Sequence, residues 1–456
     1  MIEKWAVRAE AGRSEGHDRR CGQDGRPGHE AAREPDHMSH ASGPGGSSAG
    51  ARFLGGVRVL DITGALAGPY CTTILSDLGA EVIKVEPVEG DSLRRRLVGP
   101  EQRPLPFDLI HRNKRSIAVD IKTDRGRDLV RALAMRSDVL VENFRVGALA
   151  RQGLSYDDLK GDCPDLVYCS ISGFGQFGPM RDAKGIDLVA QAYGGLLSVT
   201  GSPGEAPAKA GYPIGDLGTG MWGAIGVLAA LLRVRAGLGG SHIDVSLADT
   251  IAGWSLWEVA DFVGTGEAPA PLGTAHRLVA PYEAFTCGDG AMLVIGVTER
   301  SWKAFCAVLG IDLSGDARYD GEYARFVNRE QLAELLQARF STAPRDFWID
   351  RLREAGVPCG PVNDIPQMLN DPQYAARDMF PSDVERFGHR RIVNTPLIAD
   401  GAPRAQRRAP GIGQDTIALL RELGIGVQEI KALLRDQVVG GAAEALSTVD
   451  SEAGAG

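Results

Sequence analysis

Asp216 sits in the string YPIGDLGTGMWGAIGVLAALL, between Gly215 and Leu217, with Gly218 and Gly220 close behind. A carboxylate among residues without side-chain bulk leaves room for a ligand to approach it. The apolar run Met221 to Leu232 reads as a buried helix, whose start offers free backbone N–H groups. Two roles fit the residue. Asp is a common helix N-cap. An ionised carboxylate is also a nucleophile that needs no base beside it. The string itself leaves both roles open.

A second group of candidates is cationic. HRNKRSIAVDIK carries Arg112, Lys114, Arg115 and Lys122, and VENFRVGALARQGL adds Asn143, Phe144, Arg145 and Arg151. An aromatic ring flanked by an amide and several arginines can stack on a heterocycle and hold its phosphates. Taken singly, each is more often a solvated surface charge than a site; together these residues begin to describe a nucleotide-like ligand. The shorter cluster Arg94, Arg95 and Arg96 suits a small anion better than a duplex. CSISGFGQFGP places Gly173, Gly175 and Gly178 in a loop at a strand end, where open α/β sheets carry their sites. In AKGIDLVAQAYGG, Lys184 and Asp187 either pair with each other or face a ligand. DITGALAGPYCTTILSDLGAEVIKVE turns from strand to helix at Gly68 to Cys71, a tight turn or a seat for a phosphate-bearing ligand; it contains neither GxGxxG nor a P-loop lysine. There is no G-x-S-x-G elbow, and none of the eight histidines falls in a Ser–His–Asp pattern.

The elements that must position these residues alternate. Val57 to Ile62 and Glu81 to Glu86 read as strands around a helix from Gly68 to Leu78, a βαβ unit. Ser116 to Asp120, Val139 to Glu142, Leu166 to Ile171 and His242 to Ser246 read as further strands, with helices at Thr123 to Arg136 and Thr250 to Val263. The pattern predicts a doubly wound α/β sheet. Residues 51–263 form the first part of the large domain, and the Gly/Pro/Ala-rich stretch 264–279 is a linker. Residues 280–365 form a smaller α/β domain, and 366–439 return to the large one. Segments 1–50 and 440–456 lack the apolar residues for a core and read as disordered. Met38, just ahead of SHASGPGGSSAG, is an alternative start, which would make the first 37 residues an extension.

With 456 residues, the chain is long enough for two domains with real cores. Its net charge of −9 and the lack of a long basic stripe argue against nucleic acid as a partner. The seven cysteines are scattered, make no metal ligand set, and fit a reducing cytoplasm. Runs such as Ala224 to Leu232 are too short to span a bilayer, and the N-terminus has no signal core.

Seven islands in order carry a family resemblance: VRVLDITGALAGP, LGAEVIKVE, NKRSIAVDIK, VLVENFRVGAL, SGFGQFGP, GDLGTG and GVPCGPVN. From Gly55 to Val439 the chain resembles the class III CoA-transferases, the family of formyl-CoA transferase, carnitine CoA-transferase and alpha-methylacyl-CoA racemase. The resemblance implies a Rossmann-like large domain, a smaller α/β domain and an interlocked, ring-like homodimer. It implies acyl-CoA and a carboxylic acid as substrates, with no permanently bound cofactor and no metal. It matches the family's catalytic aspartate to Asp216, and its CoA-contacting positions to Ala67, Lys122, Asn143, Phe144, Arg151 and Lys184.

The sequence also departs from the family. Leu66 stands where formyl-CoA transferase has glutamine, Pro87 where it has arginine, and GTAHR (Gly273 to Arg277) where it has a glycine lid. These changes point away from oxalate or formate and toward a larger or less polar acceptor. The racemase branch needs a histidine where this chain has Ile186, and isoleucine exchanges no proton. The reaction implied is attack by Asp216 on the acyl-CoA carbonyl, giving an aspartyl mixed anhydride and then an aspartyl-CoA thioester. Backbone amides of Ser172 to Gly175 and Gly218 to Gly220 are the oxyanion donors this reading proposes. An acyl-CoA racemase or a noncatalytic CoA-binding protein are the alternatives.

Overall fold

The computed structural model describes residues 53–95, 105–313, 315–382, 391–398 and 407–441. The segment read as a disordered extension at 1–50, with Met38, lies outside them, as do Arg96 and all but the first two residues of the expected tail at 440–456. Strand β1 (Arg58–Asp61), helix α1 (Ala67–Asp77) and strand β2 (Glu81–Glu86) form the first βαβ unit. Strand β3 (Arg115–Val119), helix α2 (Asp124–Ala134), and strands β4 (Val139–Glu142) and β5 (Val167–Ser172) continue the alternation. Thr123 caps α2 by accepting from the Gly126 amide, which explains why the helix begins there. Helices α3 (Asp187–Tyr193) and α4 (Ile214–Arg235), strand β6 (Ser241–Ser246), and helices α5 (Leu247–Gly253) and α6 (Leu256–Thr265) complete this part.

The large sheet has the order β3-β2-β1-β4-β5-β6, all parallel. The order reverses between β1 and β4, so a crevice opens beyond their carboxyl ends. Both faces are covered, as a parallel sheet requires. Leu60, Ile83, Ile117 and Leu140 pack under α2, and Val59, Val82, Val141, Cys169 and Ile171 under α1 and α4. The chain returns to the sheet late.

Between these parts lies a separate three-stranded antiparallel sheet of β7 (Tyr282–Thr286), β8 (Met292–Gly296) and β9 (Cys359–Pro361), in the order β7-β8-β9. Helices α7 (Trp302–Leu309), α8 (Arg329–Phe340) and α9 (Arg345–Glu354) cover it around Phe305, Phe340 and Trp348. Helices α10 (Thr416–Glu422) and α11 (Val427–Arg435) then add Leu419, Leu420, Ile430 and Leu433 to the first core. Strand β10 (Val439–Gly440) pairs antiparallel with β3 at the sheet edge, so the expected tail begins as a strand.

Three expectations are corrected. Helix α4 spans 22 residues and starts seven residues before Met221, so Gly215, Gly218 and Gly220 lie inside it. Those glycines allow close packing: a Cβ at Gly220 would lie 2.7 Å from the Ala67 carbonyl oxygen, and one at Gly218 would lie 2.2 Å from the Trp254 ring. Helix content does not suffer because this packing outweighs the roughly 1 kcal/mol that each glycine costs a helix. The Ala224 to Leu232 run therefore belongs to a helix that is long and apolar enough, by length and composition, to cross a membrane. Its packing against α1 and β5 makes it a core helix here. Finally, the single helix expected over Thr250 to Val263 is broken at Trp254–Ser255 into α5 and α6.

Candidate active site

Asp216 lies in the first turn of α4, half-buried, two residues past Ile214. It does not cap the helix. The cap comes from another element: Asp187, the first residue of α3, accepts from the Gly215 amide at 2.8 Å and the Asp216 amide at 3.3 Å through Oδ1. Gln191, one turn along α3, donates from Nε2 to the other Asp187 oxygen at 2.6 Å and accepts from the Ala210 amide at 3.0 Å. Of the two roles read for Lys184 and Asp187, mutual pairing is not made; the Asp187 carboxylate turns instead to the α4 amides. The Asp216 carboxylate itself has no hydrogen bond or ion pair among the described residues. Burial and then the nearby Asp187 charge push it up to about 6. The positive end of the helix acts the other way. The result is a carboxylate that is ionised at neutral pH and unclaimed by the protein.

A trough lies at the switch point. One cavity of about 560 Å³ is lined by Val85, Pro87, Lys122, Phe144 and Leu149, among others. A second, of about 360 Å³, is lined by Gly64, Ala65, Lys84, Arg95, Asn143 and Phe144. Ile62, Val85, Pro87 and Phe144 belong to both, so the two adjoin. Phe144, 37% exposed, lines both cavities. Asn143 lines it but its side chain is already used: Oδ1 accepts from the Gly64 amide at 2.8 Å and Nδ2 donates to the Gly64 carbonyl at 2.7 Å. It clamps the β1–α1 turn, where Ala65 takes a positive φ of 59°.

Of the other residues expected to touch CoA, Ala67 is buried at the start of α1, with its carbonyl against Gly220 one turn beyond Asp216. Arg151 and Lys184 are exposed and line neither cavity. The side chains of Lys122, Arg151 and Lys184 make no hydrogen bond or ion pair among the described residues. The structure brings Lys122, Phe144 and Asn143 to one trough, and links Ala67 to the Asp216 helix.

The basic run at 111–115 behaves otherwise. Arg112 is buried against Asp77, and Arg115 binds Glu81 at 2.6 Å and Glu422 at 2.7 Å. Lys114 Nζ, fully buried, reaches Asp61 at 2.9 Å, and burial pushes it down to about 8 despite that partner. Arg94 chelates Glu86, leaving Arg95 as the member of its cluster that lines the trough among the described residues. Arg94, Arg112, Lys114 and Arg115 are thus committed to carboxylates of the protein and hold the β1–α1 turn and the sheet. Sequence spacing could not separate them from Lys122, because burial of a lysine depends on where the next layer lies.

The expected oxyanion donors also divide. The amides of Gly218 to Gly220 lie beyond the first turn of α4, where helical hydrogen bonding claims them. In the Ser172 to Gly175 loop the Gly175 amide donates to Ser172 Oγ at 2.9 Å, while the Phe174 amide makes no hydrogen bond among the described residues. This loop is close to the Lys184–Asp187 segment: a Cβ at Gly173 would lie 2.6 Å from the Gly185 Cα. The capping role of Asp187 went unread in the sequence. Its signal was Gln191 four residues later on the same helix face.

The model of CoA-transferase family III matches residues 54–416. The chain is a member of CoA-transferase family III. It is 34% identical over 382 residues to succinate–glutarate CoA-transferase of Agrobacterium fabrum, covering 81% of this chain and 95% of that one. It is 36% identical over 378 residues to human succinyl-CoA:glutarate CoA-transferase, covering 81% and 86%. Among solved structures, a CaiB/BaiF family protein from Brucella suis matches with a TM-score of 0.72 and 36% identity, over 81% of this chain and 99% of that one. The transferase is therefore an enzyme of mixed α/β fold that acts on CoA thioesters, as the family does.

Proposed function

We propose that this transferase moves CoA from an acyl-CoA donor to a carboxylic acid through covalent intermediates on Asp216. The observation that carries the reading is the unclaimed carboxylate in the first turn of α4, raised to about 6 and yet ionised at pH 7. Its oxygen attacks the thioester carbonyl, the C–S bond breaks, and CoA leaves as thiolate with an aspartyl mixed anhydride behind. The thiolate then attacks the aspartyl carbonyl, giving an aspartyl-CoA thioester and the free donor acid. An acceptor carboxylate attacks that thioester, and returning thiolate takes the acyl group of the second anhydride and restores Asp216. No proton is transferred at Asp216, consistent with a site that has no paired histidine. The uncommitted Phe174 amide of the strand-end loop serves as an oxyanion donor in this reading.

CoA lies along the trough in this reading. Phe144 supplies a stacking face, Lys122 and Arg95 supply charge within it, and Arg151 and Lys184 supply charge outside it. Asn143 and Ala67 act through the turn and helix start they fix. Relatives named for succinate, glutarate, mesaconate and oxalate support dicarboxylates as the acids, with succinyl-CoA as donor. A homodimer in a reducing cytoplasm completes the proposal. Exposed Trp222, Ile225 and Leu232 on α4, and Leu256, Trp257 and Val263 on α6, support a covering partner chain. Racemisation is disfavoured because Ile186, 64% exposed beside Asp187, cannot exchange a proton.

The test is CoA exchange from succinyl-CoA, acetyl-CoA and formyl-CoA to a panel of mono- and dicarboxylic acids, with products read by mass. Asp216→Ala is expected to lose all transfer while keeping its circular dichroism, and hydroxylamine is expected to trap an Asp216 adduct in the native protein only. Turnover by Asp216→Ala at the native rate would falsify the mechanism.

A further inference from the structure

Asp187 has no part in the covalent steps, yet it is joined to Asp216 more directly than any other acidic group. We propose that Asp187 is the positioning residue of the nucleophile: its carboxylate, braced by Gln191, fixes the first turn of α4 and keeps the Asp216 side chain free for substrate. This rests on the reading of Asp216 as nucleophile and adds a device that the reading does not need.

The geometry supplies the reason. A helix leaves its first amides unpaired, and an Asp in the first turn tends to fold back onto them. Here the Gly215 and Asp216 amides are both taken by Asp187 Oδ1, at 2.8 and 3.3 Å. Asp216 has no amide left to turn to in its own first turn, because the Leu217 amide donates to the Pro213 carbonyl at 3.0 Å and the Ile214 amide to the Tyr212 carbonyl at 2.8 Å. Asp187 cannot swing away, since Gln191 holds its second oxygen and is itself held by the Ala210 amide. The seat is tight: a Cβ on Gly215 would lie 2.9 Å from Asp187 Oδ1. Any side chain at 215 would displace the cap.

The arrangement also places a second negative charge beside the nucleophile. The other elements against α4 bring little to this point. Helix α1 carries Tyr70 and Asp77, and Asp77 is paired with Arg112. Helix α5 carries Asp249, Lys184 precedes α3, and His242 and Asp244 of β6 lie on the opposite face of the sheet, where His242 meets Ser170. Burial and Asp187 are what raise Asp216. A carboxylate of higher pKa is the stronger nucleophile as long as it stays ionised. The native rate is therefore expected to fall as pH drops below about 6, where Asp216 protonates.

Two variants separate the cap from the charge. Asp187→Ala removes both, and kcat is expected to drop on the order of 10²-fold, the cost of a misplaced reacting group. KM for the acyl-CoA donor should stay within about twofold, because the trough residues are untouched. Asp187→Asn keeps an acceptor for the Gly215 amide and loses the charge. The acid limb of its pH–rate profile should move to lower pH, stopping short of the ordinary carboxylate range because burial remains. The Asp216 carboxyl, followed by 13C NMR in the full chain and assigned by its loss in Asp216→Asn, should titrate lower by the same amount. Both measurements use the donor and acid pair chosen by the panel, and thermal melts report folding. If Asp187→Ala does not fold, Gly215→Ala decides, since its Cβ would lie 2.9 Å from Asp187 Oδ1 and displace the cap while keeping the charge; a native kcat there overturns the positioning role. A native kcat in a folded Asp187→Ala overturns the positioning role, and an unmoved Asp216 titration in Asp187→Asn overturns the charge effect; both leave Asp216 as nucleophile. Native turnover in Asp216→Ala overturns both.

Discussion

Asp61 and Asp216 stand at opposite ends of what a fold does with a carboxylate. Asp61, at the end of β1 with no exposed surface, accepts from the Thr63 amide at 3.0 Å, the Thr63 hydroxyl at 2.5 Å, the Thr72 hydroxyl at 2.7 Å and Lys114 Nζ at 2.9 Å. Asp216 is half-buried and accepts from nothing among the described residues. Burial raises Asp61, but Lys114, Lys84 and the Thr63 hydrogen bond outweigh it and leave its acidity increased. Burial raises Asp216 too, and its charged neighbour, Asp187, adds to the rise. The first is saturated and structural. The second is kept poor in partners, which is a cost in stability borne for reactivity.

The largest effect should come from breaking the saturated site. Asp61→Ala leaves Lys114 buried without a counter-charge and frees the Thr63 turn that Lys84 also binds through the Thr63 carbonyl. Loss of one partner of a buried pair typically costs about 3–5 kcal/mol. We expect the variant to lose that much stability in urea, and the double variant Asp61→Asn/Lys114→Met to recover part of it. A single Asp61→Ala that melts with the native protein would show that the network holds nothing.

Asp216→Asn should do the opposite. The folded-state pKa of Asp216 is raised above its unfolded value, to about 6 from 3.8. The folded protein therefore holds the proton more tightly, and this favours folding at low pH. That contribution is fully present below about pH 4 and is lost as pH rises through about 6. At pH 7 the ionised side chain is a net burden, and replacing it with an uncharged amide should stabilise the protein by roughly 1–3 kcal/mol. The gain should vanish below about pH 4, where both proteins carry a neutral side chain at this position. Equal stabilities at pH 7 and pH 4 would remove the contrast with Asp61. An inactive but more stable variant is the signature of a group held against its own preference.

Much of this contrast could be seen in the sequence, but unevenly. EVIKVE and VLVE are strands at the residues expected, Glu81–Glu86 and Val139–Glu142, because short Val/Ile/Leu-rich runs bounded by polar residues mark parallel strands buried on both faces, even with Lys84 inside the first. The α2 start was legible from Thr123, a local cap. The α4 start was not. Gly215, Gly218 and Gly220 look like a loop by propensity, and only their contacts with Asp187, Trp254 and Ala67 explain why a helix passes through them. The same limit applies to charge. The islands selected Asp216, Lys122 and Phe144 as candidates; Lys122 and Phe144 line one trough, and Asp216 lines neither of its cavities. The run from Arg112 to Arg115 has the same composition, yet Asp77, Asp61, Glu81 and Glu422 consume it. Those partners come from as far away as α10, and no local pattern announces them.

Lys122 and Arg112 turn that difference into the smallest and most discriminating measurement. Lys122 is exposed, lines the larger cavity and has an uncommitted ammonium group. Arg112 is 4% exposed, bound to Asp77 and donating to the Leu109 carbonyl at 2.6 Å. Lys122→Ala should leave thermal stability unchanged and raise KM for acyl-CoA by roughly two- to fivefold, the range that an exposed ion pair of up to about 1 kcal/mol allows. Raising the ionic strength should shrink that ratio, because salt screens an exposed phosphate contact. Arg112→Ala should lower stability and leave KM of the surviving folded enzyme near native, since its guanidinium faces α1 and not the trough. The two substitutions remove one positive charge each, so net charge cannot account for a difference between them. Reversed outcomes, with KM responding to Arg112 and stability to Lys122, would mean that the ligand cations and the structural ones had been exchanged.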